Sequence, residues 1–266
     1  LAAILGIDTQ PRIIGMANDK TEAIFESDEV RELIGAFRKA TTGLREQVGK
    51  VIIGQHDVVE HLLITLLVGG HCLITGMPGT AKTLLVRTLA EALGLTFKRI
   101  QFTPDLMPTD VTGTDIIEED AATGHRSWTF VKGPIFTNVL LADEINRTPP
   151  KTQAALLEAM QERSVTVRGE NHQLEPPFFV LATQNPIELE GTYPLPEAQM
   201  DRFAMRFRLG YLVPEDEMKV LQAQQYGHPL DKLTACVDSD SVTALREAAR
   251  RVRIGDELKR YIVDLV

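Results

Sequence analysis

The chain has 266 residues, of which 44% are apolar and 24% are charged. This is the composition of an ordinary globular protein, and it excludes a largely disordered chain. The formal net charge of −9 argues against a broad nucleic-acid-binding surface, because such surfaces need clustered Lys and Arg side chains. The longest apolar stretch, residues 62–75, is interrupted by Gly69, Gly70 and His71, so it predicts no membrane span. Only two cysteines occur, which indicates a reducing compartment and a cytoplasmic location.

The chain changes character after its first segment. Residues 1–27 mix Gly, Pro, Asn and Asp with few periodic apolar positions, which predicts an N-terminal arm. Two amphipathic helices are predicted next, over residues 28–48 and 58–67. Apolar runs of strand length then alternate with helical stretches, and these runs lie at 72–75, 97–102, 139–142, 178–182 and 203–209. This alternation predicts an α/β fold with a largely parallel sheet covered on both faces.

Two segments break the alternation of strands and helices. Residues 116–130 and 164–174 each carry alternating side chains next to turn-forming residues, which predicts two β-hairpins that project from the core. After Pro214 the chain is polar and helical in pattern, with no further strand. We therefore predict a domain boundary near residues 210–214.

A glycine-rich segment lies between the first predicted strand and the next helix. Residues 76–83 read Gly-Met-Pro-Gly-Thr-Ala-Lys-Thr, which matches the P-loop pattern G-x-x-x-x-G-K-S/T except at Ala81. The backbone N–H groups of such a loop and the positive end of the following helix bind phosphates. Lys82 would reach the β- and γ-phosphate oxygens, and the Thr83 hydroxyl would bind Mg²⁺. The residues predicted to bind nucleotide here are Gly76, Pro78, Gly79, Thr80, Ala81, Lys82, Thr83 and Leu84.

The departure from the pattern at Ala81 adds only a methyl group. If Ala81 lies in the first turn of the following helix, its φ angle is negative and an alanine is tolerated. We therefore expect a small cost at this position.

Polar residues follow two of the later strands. The run at 139–142 is followed by Asp143 and Glu144, and the run at 178–182 leads to Asn185. Parallel sheets place ligand chemistry at the carboxyl ends of their strands. Asp143 can hold Mg²⁺ through its water shell, while Glu144 can polarise the water that attacks the γ-phosphate. Asn185 could hydrogen-bond the γ-phosphate or that water, although a turn Asn before Pro186 is the simpler interpretation of this residue taken alone.

Several motifs are shared with one family. Besides the P-loop they are Ile-Gly-Gln at 53–55, Ala-Asp-Glu-Ile-Asn-Arg at 142–147, Pro-Pro-Lys-Thr-Gln at 149–153, Ala-Thr-Gln-Asn-Pro at 182–186, and the segment 191–203, which contains Pro-Leu-Pro-Glu-Ala-Gln and Asp-Arg-Phe. Over residues 40–266 the chain resembles the MoxR family of AAA+ ATPases. That family also carries both hairpin insertions.

The resemblance implies an architecture and two further binding residues. It implies a P-loop αβα core with a five-stranded parallel sheet over residues 28–210, and a small all-helical lid over 211–266. The lid would be incomplete, because the arginine that the family places late in the lid would follow Val266. Gly54 and Gln55 would lie beside the adenine, and Asn185 would be the sensor-1 residue.

The resemblance also implies that one catalytic residue acts between subunits. Arg202 would be the arginine finger that reaches the γ-phosphate bound by a neighbouring subunit, and the flanking Glu197 and Asp201 would position it. Arg147 could face a subunit boundary or form a local salt bridge, and both interpretations stay open.

The function implied by the resemblance is Mg²⁺-dependent ATP hydrolysis by a ring, with a homo-hexamer as the expected assembly. MoxR-like ATPases are similar to chaperones that remodel a protein client together with a von Willebrand A-domain partner. An ATP-gated interaction scaffold with little turnover is the alternative that the incomplete lid suggests. A nucleic-acid motor is a further alternative, because replicative helicases share both hairpin insertions, but the acidic charge balance argues against it.

Overall fold

The chain folds around one parallel sheet with helices on both faces. The computed structural model describes residues 28–77, 79–119, 126–185, 192–225 and 229–265, so the predicted N-terminal arm, residues 1–27, lies outside the described residues. The helices of the described residues are α1 (Asp28–Gly49), α2 (His56–Val68), α3 (Lys82–Ala92), α4 (Pro108–Thr112), α5 (Pro150–Glu162), α6 (Glu197–Met200), α7 (Pro214–Gln224), α8 (Ser239–Arg250) and α9 (Asp256–Leu265), with short 3₁₀ turns at Ile145–Arg147 and Pro229–Lys232.

The strands fall into one central sheet and two hairpins. They are β1 (Cys72–Gly76), β2 (Phe97–Gln101), β3 (Gly113–Glu119), β4 (Arg126–Lys132), β5 (Val139–Asp143), β6 (Ser164–Val167), β7 (Glu170–Gln173), β8 (Phe179–Gln184) and β9 (Met205–Leu209).

The central sheet has the order β2-β5-β8-β1-β9, and all its pairs are parallel. In the register of the sheet, Ala182 of β8 lies opposite Ala142 of β5 on one side and Leu73 of β1 on the other. Strands β1 and β5 are buried at every residue, as expected for strands covered on both faces. The five-stranded parallel sheet is therefore confirmed, and β8 lies between β5 and β1 in it.

The core consists of two apolar clusters, one on each face of the sheet. Cys72 and Ile74 of β1 pack into the cluster formed with α1, α2 and α3, whereas Leu73 packs into the cluster formed with α4 and α5. Successive side chains of a strand point to opposite faces, so this division follows directly from the apolar run. Helices α1, α2 and α3 cover one face and α4 and α5 the other, because they present apolar side chains to these clusters.

Both predicted hairpins are present, and the strands of the first extend further than predicted. Strands β3 and β4 pair antiparallel from Gly113 to Glu119 and from Arg126 to Lys132, and β6 pairs with β7. The two hairpins also touch each other. The Arg168 guanidinium lies 3.9 Å from the Trp128 ring centroid, and the Phe130 and His172 rings stack at 4.1 Å.

A buried histidine joins the sheet to α5. The Nδ1 atom of His71 accepts a 3.0 Å hydrogen bond from the Val180 N–H, and its Nε2 lies 3.2 Å from the Met160 carbonyl oxygen. Burial of the imidazole lowers the pKa of His71 to about 4. The ring is therefore neutral at physiological pH, with its proton on Nε2.

The segment after β9 contains the helices α7, α8 and α9, as predicted, and no strand occurs in its described ranges 214–225 and 229–265. Leu230 and Val242 belong to the core cluster on the face of α1, α2 and α3, so this part of the chain packs on the core. The proposed boundary at residue 210 between a core and a lid stays a prediction. Within the described residues, no helix is long and apolar enough to cross a membrane.

Candidate active site

The predicted phosphate loop has the expected strand–loop–helix context. It joins the carboxyl end of β1 at Gly76 to the start of α3 at Lys82. The Lys82 ammonium donates hydrogen bonds to the Gly76 carbonyl at 2.9 Å and to the Met77 carbonyl at 3.1 Å, and the Thr80 hydroxyl donates to the Met77 carbonyl at 2.9 Å. The lysine thus lies across the loop, while the predicted binding residue Pro78 lies outside the described residues.

The conformation of Ala81 differs from our expectation. Ala81 is the N-cap of α3 with φ +56°, so it lies in the left-handed region and not in the first helical turn. Its methyl group makes this conformation cost about 1–2 kcal/mol, which a glycine would avoid. The cost at this position is therefore larger than the sequence indicated.

The last residue of β5, Asp143, is almost fully buried at 7% exposure and has partners on both carboxylate oxygens. The Thr183 hydroxyl donates to Oδ1 at 2.6 Å. The Arg99 guanidinium donates to Oδ2 from Nη2 at 2.7 Å and from Nε at 3.2 Å. Arg99 comes from β2, the edge strand that pairs with β5, so two neighbouring strands fix this carboxylate.

Glu144 directly follows the strand and is partly exposed. Its backbone has φ +58°, and its N–H donates to the Thr183 hydroxyl at 2.8 Å. Its Oε2 accepts hydrogen bonds from Gln101 Nε2 at 2.8 Å and from Arg147 Nη1 at 3.0 Å. Arg147 therefore forms the local salt bridge that was one of its two interpretations.

Asn185 follows β8 and is 7% exposed. Because β8 lies between β1 and β5 in a parallel sheet, its carboxyl end lies between the phosphate loop and the Asp143–Glu144 pair. The structure thus brings Lys82, Asp143, Glu144 and Asn185 to one edge of the sheet.

A cavity of about 360 Å³ adjoins the phosphate loop. Its walls are mainly apolar, which suits the flat ring system of a nucleobase. Gly54 lines a neighbouring cavity of about 270 Å³. Its φ is +75°, and a Cβ there would lie 2.5 Å from Asp216 Oδ2, so this position favours glycine. The larger cavity is lined by residues 51–53, Gln55, Gly79, Thr80, Ala81, Leu84, residues 210–212, Glu217, Val220, Leu221, Ala223 and Gln224.

The family is shown by comparison with known proteins. A model of the ATPase family associated with various cellular activities (AAA) matches residues 71–205. The chain is 48% identical over 221 residues to the protein YeaC of Bacillus subtilis and 46% identical over 220 residues to Chaperone MoxR1 of Mycobacterium tuberculosis. Both matches cover 83% of this chain. The chain belongs to the MoxR family of AAA+ ATPases.

A similar fold is seen in a solved structure. A crystal structure of a protein from Cytophaga hutchinsonii superposes with a TM-score of 0.80 at 44% identity, covering 91% of this chain and 72% of that one. The chain spans 68% of the length of YeaC and 57% of the length of MoxR1.

Arg202 of this MoxR-family chain lies away from the edge that carries the phosphate loop. It precedes β9, and the Ala204 N–H donates to the carbonyl of His71, just before β1 begins. One strand therefore separates Arg202 from the loop, about 15 Å for five residues. Arg202 Nη1 donates to the Leu157 carbonyl at 2.9 Å and forms no ion pair with Glu197 or Asp201, so the expected positioning by these two acids is not observed. The guanidinium is exposed in a groove that Glu158, Glu162 and Gln199 also line.

The oxygen donors at this edge fit Mg²⁺. The Thr83 hydroxyl and the Asp143 carboxylate are hard donors, and Mg²⁺ commonly binds one or two carboxylates together with substrate phosphates. In the part of the chain that the structure describes, no group of three or more His, Cys, Asp or Glu residues could hold a metal alone.

Sequence reasoning missed three residues that contact the acidic pair: Arg99, Gln101 and Thr183. Arg99 and Gln101 alternate along β2, so they point to the same face, and the register places Gln101 opposite Asp143. A signal was available, because two polar side chains at alternating positions of a predicted strand need an explanation. Only the pairing of β2 with β5, which brings these side chains to Asp143 and Glu144, explains them.

Proposed function

We propose that this chain binds ATP with Mg²⁺ and hydrolyses it, and that it does so within a ring of like subunits. The observation that carries the proposal is the convergence of Lys82, Asp143, Glu144 and Asn185 at one edge of the sheet, beside a mainly apolar cavity. Membership of an ATPase family supports the same chemistry.

The phosphate loop provides the binding step in this proposal. Lys82 exchanges its hydrogen bonds to the Gly76 and Met77 carbonyls for the β- and γ-phosphate oxygens of ATP. The N-terminus of α3 places its free N–H groups and positive dipole at the phosphates. The base enters the cavity beside Gln55, with Gly54 allowing the close approach of α7. The Thr83 hydroxyl and Asp143 would hold Mg²⁺, which would supply positive charge to offset that of the phosphates.

Glu144 is the residue that we assign to the chemical step. Its carboxylate accepts a hydrogen bond from the attacking water and so orients it and raises its nucleophilicity. To do so, the carboxylate must give up its contacts with Gln101 and Arg147. Asn185 donates its amide N–H to the γ-phosphate or to that water from the end of β8.

The remaining catalytic group in this proposal comes from a second subunit. Arg202 lies about 15 Å from the phosphate loop of its own chain, which supports a role at the γ-phosphate of a neighbour. An arginine supplied in this way typically raises the rate about 10³–10⁵-fold. We propose a homo-hexamer with a core over residues 28–210 and lid helices over 211–266. The ring would remodel a protein client in the cytoplasm with a von Willebrand A-domain partner, and the name Chaperone MoxR1 of one relative supports this activity.

Glu144→Gln tests the catalytic assignment. Because a positioned base contributes about 10²–10⁴-fold, we expect phosphate release to fall by about a hundredfold or more, while ATP binding is retained. Glu247→Gln is the matched control, since Glu247 is exposed on α8 and should leave the rate unchanged. Hydrolysis by Glu144→Gln near the parent rate would show that another group activates the water.

A second candidate function is an ATP-gated scaffold with little turnover. It is favoured by the contacts that occupy Asp143 and Glu144, since both carboxylates are already paired within the chain. Bound nucleotide and released phosphate should be measured on the same sample, with protein concentration varied. The motor proposal requires turnover per subunit to rise with concentration as rings form, whereas retained nucleotide without phosphate release at any concentration would favour the scaffold.

A further inference from the structure

The Asp143 carboxylate is nearly saturated with partners from its own chain. A carboxylate offers about four acceptor positions. Arg99 takes two of them on Oδ2 and Thr183 takes one on Oδ1. A cation that binds Oδ2 must therefore displace Arg99, whereas one acceptor position remains on Oδ1.

Arg99 can be displaced without opening the core. Its side chain is 45% exposed, compared with 10% for Asp143, and it extends from the edge strand β2. A guanidinium close to a buried carboxylate also opposes a second positive charge at the same place, because the two cations repel each other. The buried acid thus has a fixed partner in Thr183 and a removable one in Arg99.

The same guanidinium also reaches the second acid through one side chain. Arg99 Nη2 donates to the Gln101 Oε1 at 2.6 Å, and this fixes which way the Gln101 amide faces. Its Nε2 consequently points to Glu144 Oε2 at 2.8 Å. Departure of Arg99 from Asp143 would remove the contact that orients this amide.

We propose that Arg99 is a positioning residue that acts as a displaceable counter-ion of Asp143: Mg²⁺ arriving with nucleotide replaces it, and its departure loosens the hold of Gln101 on Glu144. This inference rests on the proposed function, because it assigns Asp143 to the metal. As a consequence, Arg99 sets the Mg²⁺ concentration at which the site binds Mg²⁺ together with nucleotide.

Arg99→Gln tests this role through binding and not through turnover. The probe is a fluorescent ATP analogue, whose affinity is measured in EDTA and then over a Mg²⁺ titration. Removing one opposing charge next to the carboxylate should lower the half-saturating Mg²⁺ concentration by about tenfold. Affinity in EDTA should stay within about twofold of the parent. Arg99→Lys keeps the charge but loses the paired donors, so its half-saturation should lie between those of the parent and Arg99→Gln.

Lys98→Gln is the matched control, because Lys98 is the neighbouring exposed cation on β2 and should leave the Mg²⁺ titration unchanged. An unchanged or higher half-saturating Mg²⁺ concentration in Arg99→Gln would overturn the inference while leaving the proposed function intact. Equal weakening of binding with and without Mg²⁺, together with a lower melting temperature, would show that Arg99 is only structural. If the parent shows no Mg²⁺-dependent binding, the proposed function and this inference both fail.

Discussion

The side-chain amide of Gln101 donates a 2.8 Å hydrogen bond to the carboxylate of Glu144. The contact joins the edge strand β2 to the residue that we assign to water activation. Gln101 and Arg147 thereby hold the Glu144 carboxylate, and the proposed catalysis requires the carboxylate to leave them. Hydrogen bonds to charged groups contribute about 1.5–3 kcal/mol, which is enough to affect how often Glu144 is free.

Gln101→Ala should therefore raise the basal rate of ATP hydrolysis. Arg147 still holds Glu144 in this variant, so we expect a gain of about three- to tenfold at saturating Mg²⁺ and ATP. Gln173→Ala, an exposed glutamine on β7, is the control and should show the parent rate. A lower rate in Gln101→Ala with unchanged nucleotide affinity would mean that Gln101 orients Glu144 productively.

Ala81→Gly should stabilise the protein. The left-handed backbone at Ala81 costs an alanine about 1–2 kcal/mol, and the extra freedom of an unfolded glycine offsets part of the gain. We expect the free energy of unfolding in urea to rise by about 0.5–1 kcal/mol. The contrast is Ala154→Gly, at an exposed position inside α5, which should lose about 1 kcal/mol. A loss of stability in both variants would contradict the strain at Ala81.

Much of the fold could be predicted because apolar runs mark buried parallel strands directly. The sequences of β1, β5 and β8 are each apolar at most positions, and alternation with helices indicated that the strands are parallel. Both hairpins were placed correctly, but the first was predicted too short. The ends of β3 and β4, such as Gly113 and Lys132, are defined by cross-strand pairing and not by any local apolar pattern.

The candidate site was predicted where chemistry depends on adjacent residues, as in the loop at 76–83 and the pair Asp143–Glu144. The residues that reach the site only through pairing between strands were missed. Arg99 lies 44 residues before Asp143, so only the sheet register brings them together. The backbone at Ala81 was misjudged for a similar reason, since the loop geometry and not the residue type determines its φ angle.

His71 should make stability depend on acid pH. Its folded pKa is near 4, below the value of about 6.5 for an exposed histidine, so the unfolded chain binds the proton more readily. The stabilisation is complete above pH 6.5 and is lost as pH falls towards 4. This residue alone should lower the free energy of unfolding by about 2 kcal/mol between pH 7 and 5.

His71→Gln removes the titrating group while keeping a donor and an acceptor. Urea unfolding of parent and variant at pH 7, 6 and 5 should show a shallower pH dependence in the variant, whatever its absolute stability. Parallel curves for the two proteins would show that another group causes the acid sensitivity.

The contact between the two hairpins can be followed through Trp128, the single tryptophan of the chain. Arg168 covers one face of this ring at 3.9 Å, although the residue is still 60% exposed. Arg168→Gln should shift the emission of Trp128 to longer wavelength and increase its quenching by acrylamide, because the covered face becomes accessible to water. Arg126→Gln is the control. Arg126 lies on the same hairpin as Trp128 but pairs with Glu119, so its replacement should leave the emission unchanged. Unchanged emission in Arg168→Gln would mean that the hairpins are separate in solution.

The most direct test of the account is to mix two inactive variants, Glu144→Gln and Arg202→Ala. Each alone should hydrolyse ATP at a small fraction of the parent rate, because one lacks the group that activates water and the other lacks the arginine supplied to its neighbour. In a mixed head-to-tail ring, an Arg202→Ala subunit keeps Glu144 and can receive Arg202 from a Glu144→Gln neighbour. Random mixing in equal amounts should restore about a quarter of the parent rate. A mixture that is no more active than the sum of its components would contradict a site shared between subunits.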